Sequence, residues 1–196
     1  MGVRPGMTVY EMEAGEGYYT ELLSTILGAE GHLYMQNPPG FDSFLGDSVA
    51  DRLRDNRLPN VTHDKTSFDR LNVADASVDI VTWILGPHEL YFVLSDGVSL
   101  GAIDATYAEI FRILKPGGSF IVLDHAAAPG TSEESGQIYH RIDPAIVRAL
   151  IIDAGLVFES ESNILRNDTD IYEKSVFDPS IRRKTDRFLF RFRKPE

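Results

Sequence analysis

Short apolar runs alternate with longer amphipathic segments along most of the chain. Five β-rich runs indicate strands: MTVYEM, HLYMQN, NVTHDK, VDIVTWIL and SFIVLD. The helical spacing of apolar residues predicts helices that begin near Tyr19, Asp42 and Ile103. In the first of these, one apolar face is expected to consist of Leu22, Leu23, Ile26 and Leu27. The segment RIDPAIVRALIIDAG predicts another helix, with Asp143 as its N-cap and Gly155 at its end. Two alternating runs, LVFESES and RFLFRFR, are the last predicted strands, and Phe188, Phe190 and Phe192 are expected on one face of the second.

This order of strands and helices is typical of an α/β domain in which helices cover a parallel sheet. Ligands of such sheets bind beyond the carboxyl ends of the strands, beside the switch point in strand order. The residues that follow the strands are therefore candidates for function: Glu13 to Gly17, Asn37, Lys65 to Ser67, Gly86 to Glu89, and Asp124 to His125.

Composition narrows the class of protein and its partners. A length of 196 residues favours one domain over residues 1–196. The net charge of −11 disfavours nucleic acid as a partner, although the segment from Ile181 to Lys194 holds a basic patch. The absence of cysteine excludes disulfides and thiolate metal sites. No run has membrane-spanning length and the N-terminus has no apolar leader, so we expect a cytoplasmic protein without a membrane partner.

The stretch YEMEAGEGYYTELL, Tyr10 to Leu23, has the outline of a nucleotide-binding loop. Gly15 and Gly17 match two glycines of a dinucleotide fold, but Thr20 stands at the third. A nicotinamide-dependent oxidoreductase is therefore a weaker hypothesis than the two given below. No Gly-Lys-Ser/Thr follows the glycines, which excludes a P-loop.

The chain resembles instead the class I S-adenosylmethionine-dependent methyltransferases. EMEAGEG resembles their first motif, with Glu11 as the acid, and ASVDIV and LKPGG resemble the entries to their fourth and fifth strands. GYYTE, DHAAAPGT, HRID and KTDRF resemble most closely a little-described bacterial branch. The resemblance implies a three-layer Rossmann-like methyltransferase fold, whose seven-stranded sheet is mostly parallel with an antiparallel last strand. It also implies S-adenosylmethionine as cofactor and a small molecule as methyl acceptor, with a homodimer left open.

The same resemblance places the cofactor against residues of the first three strand ends: Glu11, Glu13, Ala14, Gly15, Gly17, Tyr19, Asn37 and Ser67. Three of them depart from the family pattern. Glu13 replaces a glycine. Asn37 stands at the position of the family's ribose-binding acid and Ser67 near that of its adenine-side acid, and both residues are neutral. The alternative hypothesis is therefore a methyltransferase-like protein with a degenerate cofactor site, acting as a binding or assembly module.

Histidines are the natural bases for deprotonating a methyl acceptor. His125 follows the fifth strand, His88 follows the fourth, and His140 precedes the capped helix, so we predict these three as catalytic residues. With Tyr139 they are expected to form the wall of an acceptor pocket, closed by a mobile lid over Ala126 to Tyr139. A metal site of histidine and carboxylate ligands is the alternative, but no His-x-x-x-His spacing supports it, and no metal is predicted.

Overall fold

The computed structural model describes residues 1–94 and 97–196, and seven strands in this part of the chain form one sheet. The strands are β1 (Thr8–Met12), β2 (His32–Gln36), β3 (Val61–Asp64), β4 (Val78–Ile84), β5 (Leu114–His125), β6 (Val157–Glu161) and β7 (Arg187–Arg193). The helices are α1 (Tyr18–Leu27), α2 (Asp42–Leu45), α3 (Ser48–Leu53), α4 (Ile103–Ile113), α5 (Glu134–Tyr139) and α6 (Pro144–Asp153).

The strand order is β3-β2-β1-β4-β5-β7-β6. Neighbours from β3 to β5 pair in parallel, and β7 pairs antiparallel with both β5 and β6. The predicted fold class is thus confirmed, including the antiparallel last strand. Strands β2 and β3 lie on one side of β1, and β4 lies on its other side. The switch point in strand order is therefore between β1 and β4.

Alternation along the strands gives the sheet two buried faces. Val9 packs with Leu23 and Leu27 of α1 on one face. Tyr10 belongs to the larger core on the other face, with Ile110 of α4 and other residues of α4 and α6. In β7 the predicted apolar face is also confirmed, because Phe188, Phe190 and Phe192 are all buried in that larger core. The result is a sheet between two helical layers.

Most predicted elements are present, with two corrections in the helices. The face of α1 was expected to carry Leu22 and Ile26, but both are exposed, and Thr20 and Ser24 are buried beside Leu23 and Leu27 instead. The single helix expected from Asp42 is divided into α2 and α3, because Gly46 takes a positive φ of 48° between them. The helix predicted after Asp143 begins as expected, with the Asp143 carboxylate accepting a hydrogen bond from Ala145 N at 2.8 Å.

The segment predicted as a lid, Ala126 to Tyr139, contains the short helix α5, which packs against a 3-10 turn over Pro87–Tyr91. Ser135 and Gly136 are buried in that contact. A Cβ at Gly136 would lie 2.7 Å from the carbonyl oxygen of His88, so glycine is required for this close approach. The mobility of the segment stays a prediction. No described helix, in residues 1–94 or 97–196, is long and apolar enough to cross a membrane.

Candidate active site

The turn from β1 into α1 lies at the switch point and bends sharply. Glu13, Gly15 and Gly17 all have positive φ angles, of 50°, 59° and 84°. A Cβ at Gly17 would also lie 3.1 Å from Met35 Cε and 3.2 Å from Arg52 Cγ, so glycine fits there for two reasons. We call residues 13–17 the β1 loop.

Glu13 is accommodated by two residues of the neighbouring strand end. The buried Trp83 Nε1 donates a hydrogen bond to Glu13 Oε2 at 2.9 Å. A Cβ at Gly86 would lie 1.7 Å from Trp83 Nε1 and 2.2 Å from Glu13 Oε2, so only glycine leaves room for this pair. Glu13 is therefore part of a fitted arrangement, in which its carboxyl group has a donor and a defined position.

The end of β2 holds the β1 loop from the other side. Gln36 Oε1 accepts a hydrogen bond from Glu13 N at 2.8 Å. Asn37 Oδ1 accepts from Gly15 N at 2.8 Å, and Asn37 Nδ2 donates to Gly15 O at 3.1 Å. These bonds fix the path of the loop backbone around Gly15.

Glu11 lies beneath the loop and is buried. Thr20 Oγ1, in the first turn of α1, donates a hydrogen bond to Glu11 Oε2 at 2.6 Å. Burial raises the pKa of Glu11 to about 7, although the hydrogen bonds from Thr20 lower it. Glu11 therefore connects β1 to α1 and is not among the residues that line the cavity described next.

A cavity of about 430 Å³ opens in front of the β1 loop, within the usual size range of small-molecule sites. Acidic groups, aromatic rings and one histidine make up most of its wall. The lining residues are Glu13, Gly15, Phe41, Phe44, Leu45, Glu89, Phe92, His140 and Phe177. None of these described residues is a lysine or arginine, so the cavity favours a ligand that is cationic and partly apolar.

Two of the lining residues, Glu89 and His140, form a cluster with His88. His88 Nε2 lies 3.3 Å from Glu89 Oε1 and 3.3 Å from His140 Nδ1. The His140 ring also packs between the rings of Phe92 and Phe177, with centroid distances of 4.9 and 4.8 Å. The cluster thus joins the end of β4 to the residue that follows α5.

Asp124 is hydrogen-bonded to both the backbone and the ring of His88. Its fully buried carboxylate accepts from His88 N at 2.8 Å and lies 2.9 Å from His88 Nδ1. Burial lowers the pKa of His88, but the Asp124 and Glu89 carboxylates more than reverse this and raise it. Burial, and then the Glu89 carboxylate, raise the pKa of Glu13 above its usual range. The Glu13 and Glu89 carboxyl groups, which both line the cavity described above, are therefore close enough to interact.

The sequence is similar to those of known methyltransferases. No family model matches the chain. Over 124 residues it is 29% identical to the ubiquinone/menaquinone biosynthesis C-methyltransferase UbiE of Vibrio campbellii. The match covers 63% of this chain and 43% of that relative, so the chain corresponds to less than half of the relative's length.

Solved structures match the fold over nearly the whole chain. An S-adenosylmethionine-dependent methyltransferase from Aquifex aeolicus has a TM-score of 0.66 at 18% identity, over 98% of this chain and 84% of that one. One from Mesorhizobium loti also has a TM-score of 0.66, at 13% identity, over 99% of this chain and 94% of that one. The chain therefore has the fold of the class I S-adenosylmethionine-dependent methyltransferases over nearly its whole length. The resemblance read from EMEAGEG and LKPGG is confirmed.

The residues of the cavity fit the cofactor of this family. S-adenosylmethionine is cationic at its sulfonium and ammonium groups, and Glu13 and Glu89 place two carboxyl groups on the cavity wall. A Cβ at Gly15 would meet no atom within 4 Å, so the loop leaves open space beside it. Phe41, Phe44 and Leu45, after β2, offer an apolar wall for a flat ring. The comparisons and this fit together support S-adenosylmethionine as the cofactor.

Of the predicted cofactor residues, Glu13 and Gly15 line the cavity. Asn37 uses its side-chain amide on Gly15, and Ser67 Oγ donates to Asp69 Oδ1 at 2.6 Å. Ala14 N donates to Gln36 O at 2.8 Å. Tyr19 lines a separate groove beside Ile84 and Leu123. Their contacts with a cofactor stay predictions, as do those of Glu11 and Gly17.

The three predicted catalytic histidines lie in different surroundings. His88 and His140 meet in the cluster, whereas His125 Nδ1 lies 2.7 Å from Thr185 Oγ1 and its ring centroid is 6.4 Å from that of His88. Burial lowers the pKa of His125 to about 4, so its ring is neutral near pH 7. Neither His125 nor Tyr139 is among the lining residues, so their roles in the acceptor pocket stay predictions.

Sequence reasoning gave no role to several residues that shape the site. Trp83 was assigned only to a buried strand, and Phe92 and Phe177 carry no motif. Phe177 lies in the long connection between β6 and β7, far from every strand end in the chain. Glu89 could have been found, because it directly follows His88 at the predicted end of β4.

Proposed function

We propose that this chain transfers a methyl group from S-adenosylmethionine to a small-molecule acceptor bound beside His140. The observation that supports this most directly is the continuity of one cavity. Glu13 and Gly15 of the β1 loop line the same cavity as Glu89 and His140. A cofactor held on the loop and an acceptor held at the cluster would therefore meet without an intervening wall.

The chemistry requires mainly placement and a way to remove one proton. The cofactor supplies an electrophilic methyl group on its sulfonium. The acceptor loses the proton of an O–H, N–H or S–H group, and the cluster takes it up and passes it to water. The acceptor's electron pair then forms the new bond to the methyl carbon as the carbon–sulfur bond breaks, leaving S-adenosylhomocysteine. His140 is the cluster histidine that lines the cavity, so it is the proposed first proton acceptor.

The part of the cavity wall beside His140 indicates the chemical class of the acceptor. Phe92 and Phe177 line the cavity there, with ring centroids 4.9 and 4.8 Å from that of His140. This composition favours an apolar or aromatic molecule that carries one ionisable group. The curated relatives are C-methyltransferases by name, which supports methyl transfer as the class of reaction.

Calorimetric titration with S-adenosylmethionine and S-adenosylhomocysteine tests cofactor binding directly. We expect saturable heat for both, and its absence at millimolar concentration would refute the proposal. Glu13→Gly is the informative variant, because it restores the glycine of the family motif. Loss of affinity would identify Glu13 as a ligand of the cofactor's cationic groups. A gain of binding by a native chain that shows none would favour the degenerate binding module instead.

Turnover is measured as S-adenosylhomocysteine formed from a panel of phenols, thiols and amines. His140→Ala should lower kcat by roughly 100-fold or more, as expected for loss of a general base. Cofactor affinity should be nearly unchanged, because His140 makes none of the hydrogen bonds that hold the β1 loop. Equal loss of affinity and turnover would contradict this assignment of roles.

A further inference from the structure

The cluster of His88, Glu89 and His140 has a regular shape. Its three facing atoms are His88 Nε2, Glu89 Oε1 and His140 Nδ1. Two of the distances between them are 3.3 Å, and the third, from His140 Nδ1 to Glu89 Oε1, is 3.6 Å. The three atoms therefore form a nearly equilateral triangle.

This triangle matches one face of a tetrahedral metal site. Zinc binds imidazole nitrogen and carboxylate oxygen at about 2.0–2.2 Å, which places neighbouring tetrahedral ligands roughly 3.3–3.5 Å apart. Pairing of Glu89 with both histidines also brings the three atoms together. An ion at the centre would use all three as ligands at once, at the spacing of a tetrahedral face.

The surroundings of His88 match those of a metal-bound histidine. Because the Asp124 carboxylate can only accept, the His88 ring carries a hydrogen on Nδ1, 2.9 Å from Asp124 Oδ1. An ion would displace any proton from Nε2, whose lone pair would then point into the triangle. A carboxylate behind a histidine is the usual outer support of such a ligand, since it fixes the ring and raises its basicity.

The fourth tetrahedral position has room on the side of the cavity. Glu89 and His140 are both lining residues, whereas His88 and Asp124 lie behind them. Catalytic zinc sites have this form, with three protein ligands and one open position. An ion here would stand where the proposed function places the nucleophilic atom of the acceptor.

We propose that His88, Glu89 and His140 bind one divalent transition-metal ion, with zinc as the best match to two imidazoles and a carboxylate. In the ion-bound protein His140 is a ligand, and the ion replaces it as the group that promotes loss of the acceptor's proton. The open position takes the acceptor's oxygen, sulfur or nitrogen, and the ion favours its deprotonated form, with the proton released to water. The role in methyl transfer rests on the proposed function above. The binding of the ion does not.

The test uses the full chain, stripped with a chelator and dialysed, without S-adenosylmethionine. Zinc binding is measured by competition with a chromophoric chelator, and Co²⁺ is added separately as a spectroscopic probe. We expect one ion per chain and the intense visible absorption of tetrahedral Co²⁺. Asp124→Asn should weaken zinc binding by roughly 10–100-fold, as other outer-shell changes do, and Glu89→Gln should weaken it further.

A matched control guards against metal held elsewhere. His32 opens β2 at the amino-terminal edge of the sheet, opposite the cluster, and pairs in register with Thr8. His32→Asn should leave both the stoichiometry and the Co²⁺ spectrum unchanged. Circular dichroism of each variant verifies folding, and Glu89→Gln is the decisive one because it keeps the size of the side chain.

Three outcomes overturn the proposal: less than one ion per native chain, native affinity in a folded Glu89→Gln, or equal loss in His32→Asn. None of them bears on the cofactor, because S-adenosylmethionine is titrated separately into the metal-free chain. Conversely, a chain that binds zinc through Glu89 and gives no heat with the cofactor would retain this site and lose the proposed function.

Discussion

Replacing Trp83 with phenylalanine tests whether Glu13 is an integral part of the site. Trp83 Nε1 donates to Glu13 Oε2 at 2.9 Å, and the indole ring packs on Phe68 and Tyr107 with centroid distances of 5.0 and 6.2 Å. Phenylalanine keeps an aromatic ring in this packing but has no N–H group. The variant therefore removes the partner of the Glu13 carboxyl and little else.

The expected cost has two parts. A buried carboxyl group left without its donor costs about 1–3 kcal/mol of the free energy of unfolding, and the smaller ring adds about 1 kcal/mol. Glu13→Gly removes the carboxyl group. It also removes the strain of a non-glycine residue at φ 50°, which should raise the free energy of unfolding by about 1–2 kcal/mol. In that background Trp83→Phe should cost only the packing part, so the two changes should couple by about 1–3 kcal/mol.

The assay is urea denaturation of four chains, followed by far-ultraviolet circular dichroism: native, the two single variants and the double variant. Costs that add within about 0.5 kcal/mol would show that the two side chains do not interact. The reading of Glu13 as a fitted residue would then be wrong. Gly86→Ala offers an independent check, because its Cβ has no room beside either group.

Three further predictions concern stability and turnover. Burial raises the pKa of Glu11 in the folded state from 4.5 to about 7. Protonated Glu11 should therefore add about 3 kcal/mol to the free energy of unfolding below pH 4.5, and this contribution is lost as the pH rises through 7. The stability difference between the native chain and Glu11→Gln, measured by urea denaturation at pH 5 and pH 8, should change accordingly. Arg141 is fully buried and bonds Asp170 at 2.9 and 3.1 Å, so Arg141→Ala should cost about 3–5 kcal/mol in the same assay, whereas a variant with both residues apolar should regain most of it. Because His140 lines the cavity and His125 does not, His140→Ala should lower kcat more than His125→Ala at unchanged cofactor affinity, and the reverse order would restore His125 as the base.

The fold could be predicted because its strands and helices are marked by short patterns within the sequence. Buried parallel strands leave unbroken apolar runs such as VDIVTWIL, and capped helices leave residues such as Asp143 and Gly155. The helix α5 escaped prediction because its burial depends on two small residues, Ser135 and Gly136, that meet a distant turn. Small polar residues in a helix of six residues give no apolar period to detect.

The site was only partly predictable, for a different reason. Glu13, Gly15, His88 and His140 could be named because they follow strands or border a capped helix. What they do depends on partners brought from elsewhere, and no pattern in the sequence specifies those pairings. Asn37 illustrates this: its position predicted a ribose contact, but its amide is bonded to the backbone of Gly15 on both sides.

The position of Trp83 also gives the molecule an optical reporter of its own. It is the single tryptophan of the chain, so all indole emission comes from a ring whose N–H is bonded to the β1 loop through Glu13. A ligand that draws the Glu13 carboxyl toward itself must weaken or lengthen that bond, and the emission wavelength or intensity should respond. Occupancy of the loop can therefore be followed in the unlabelled protein, in real time and at submicromolar concentration.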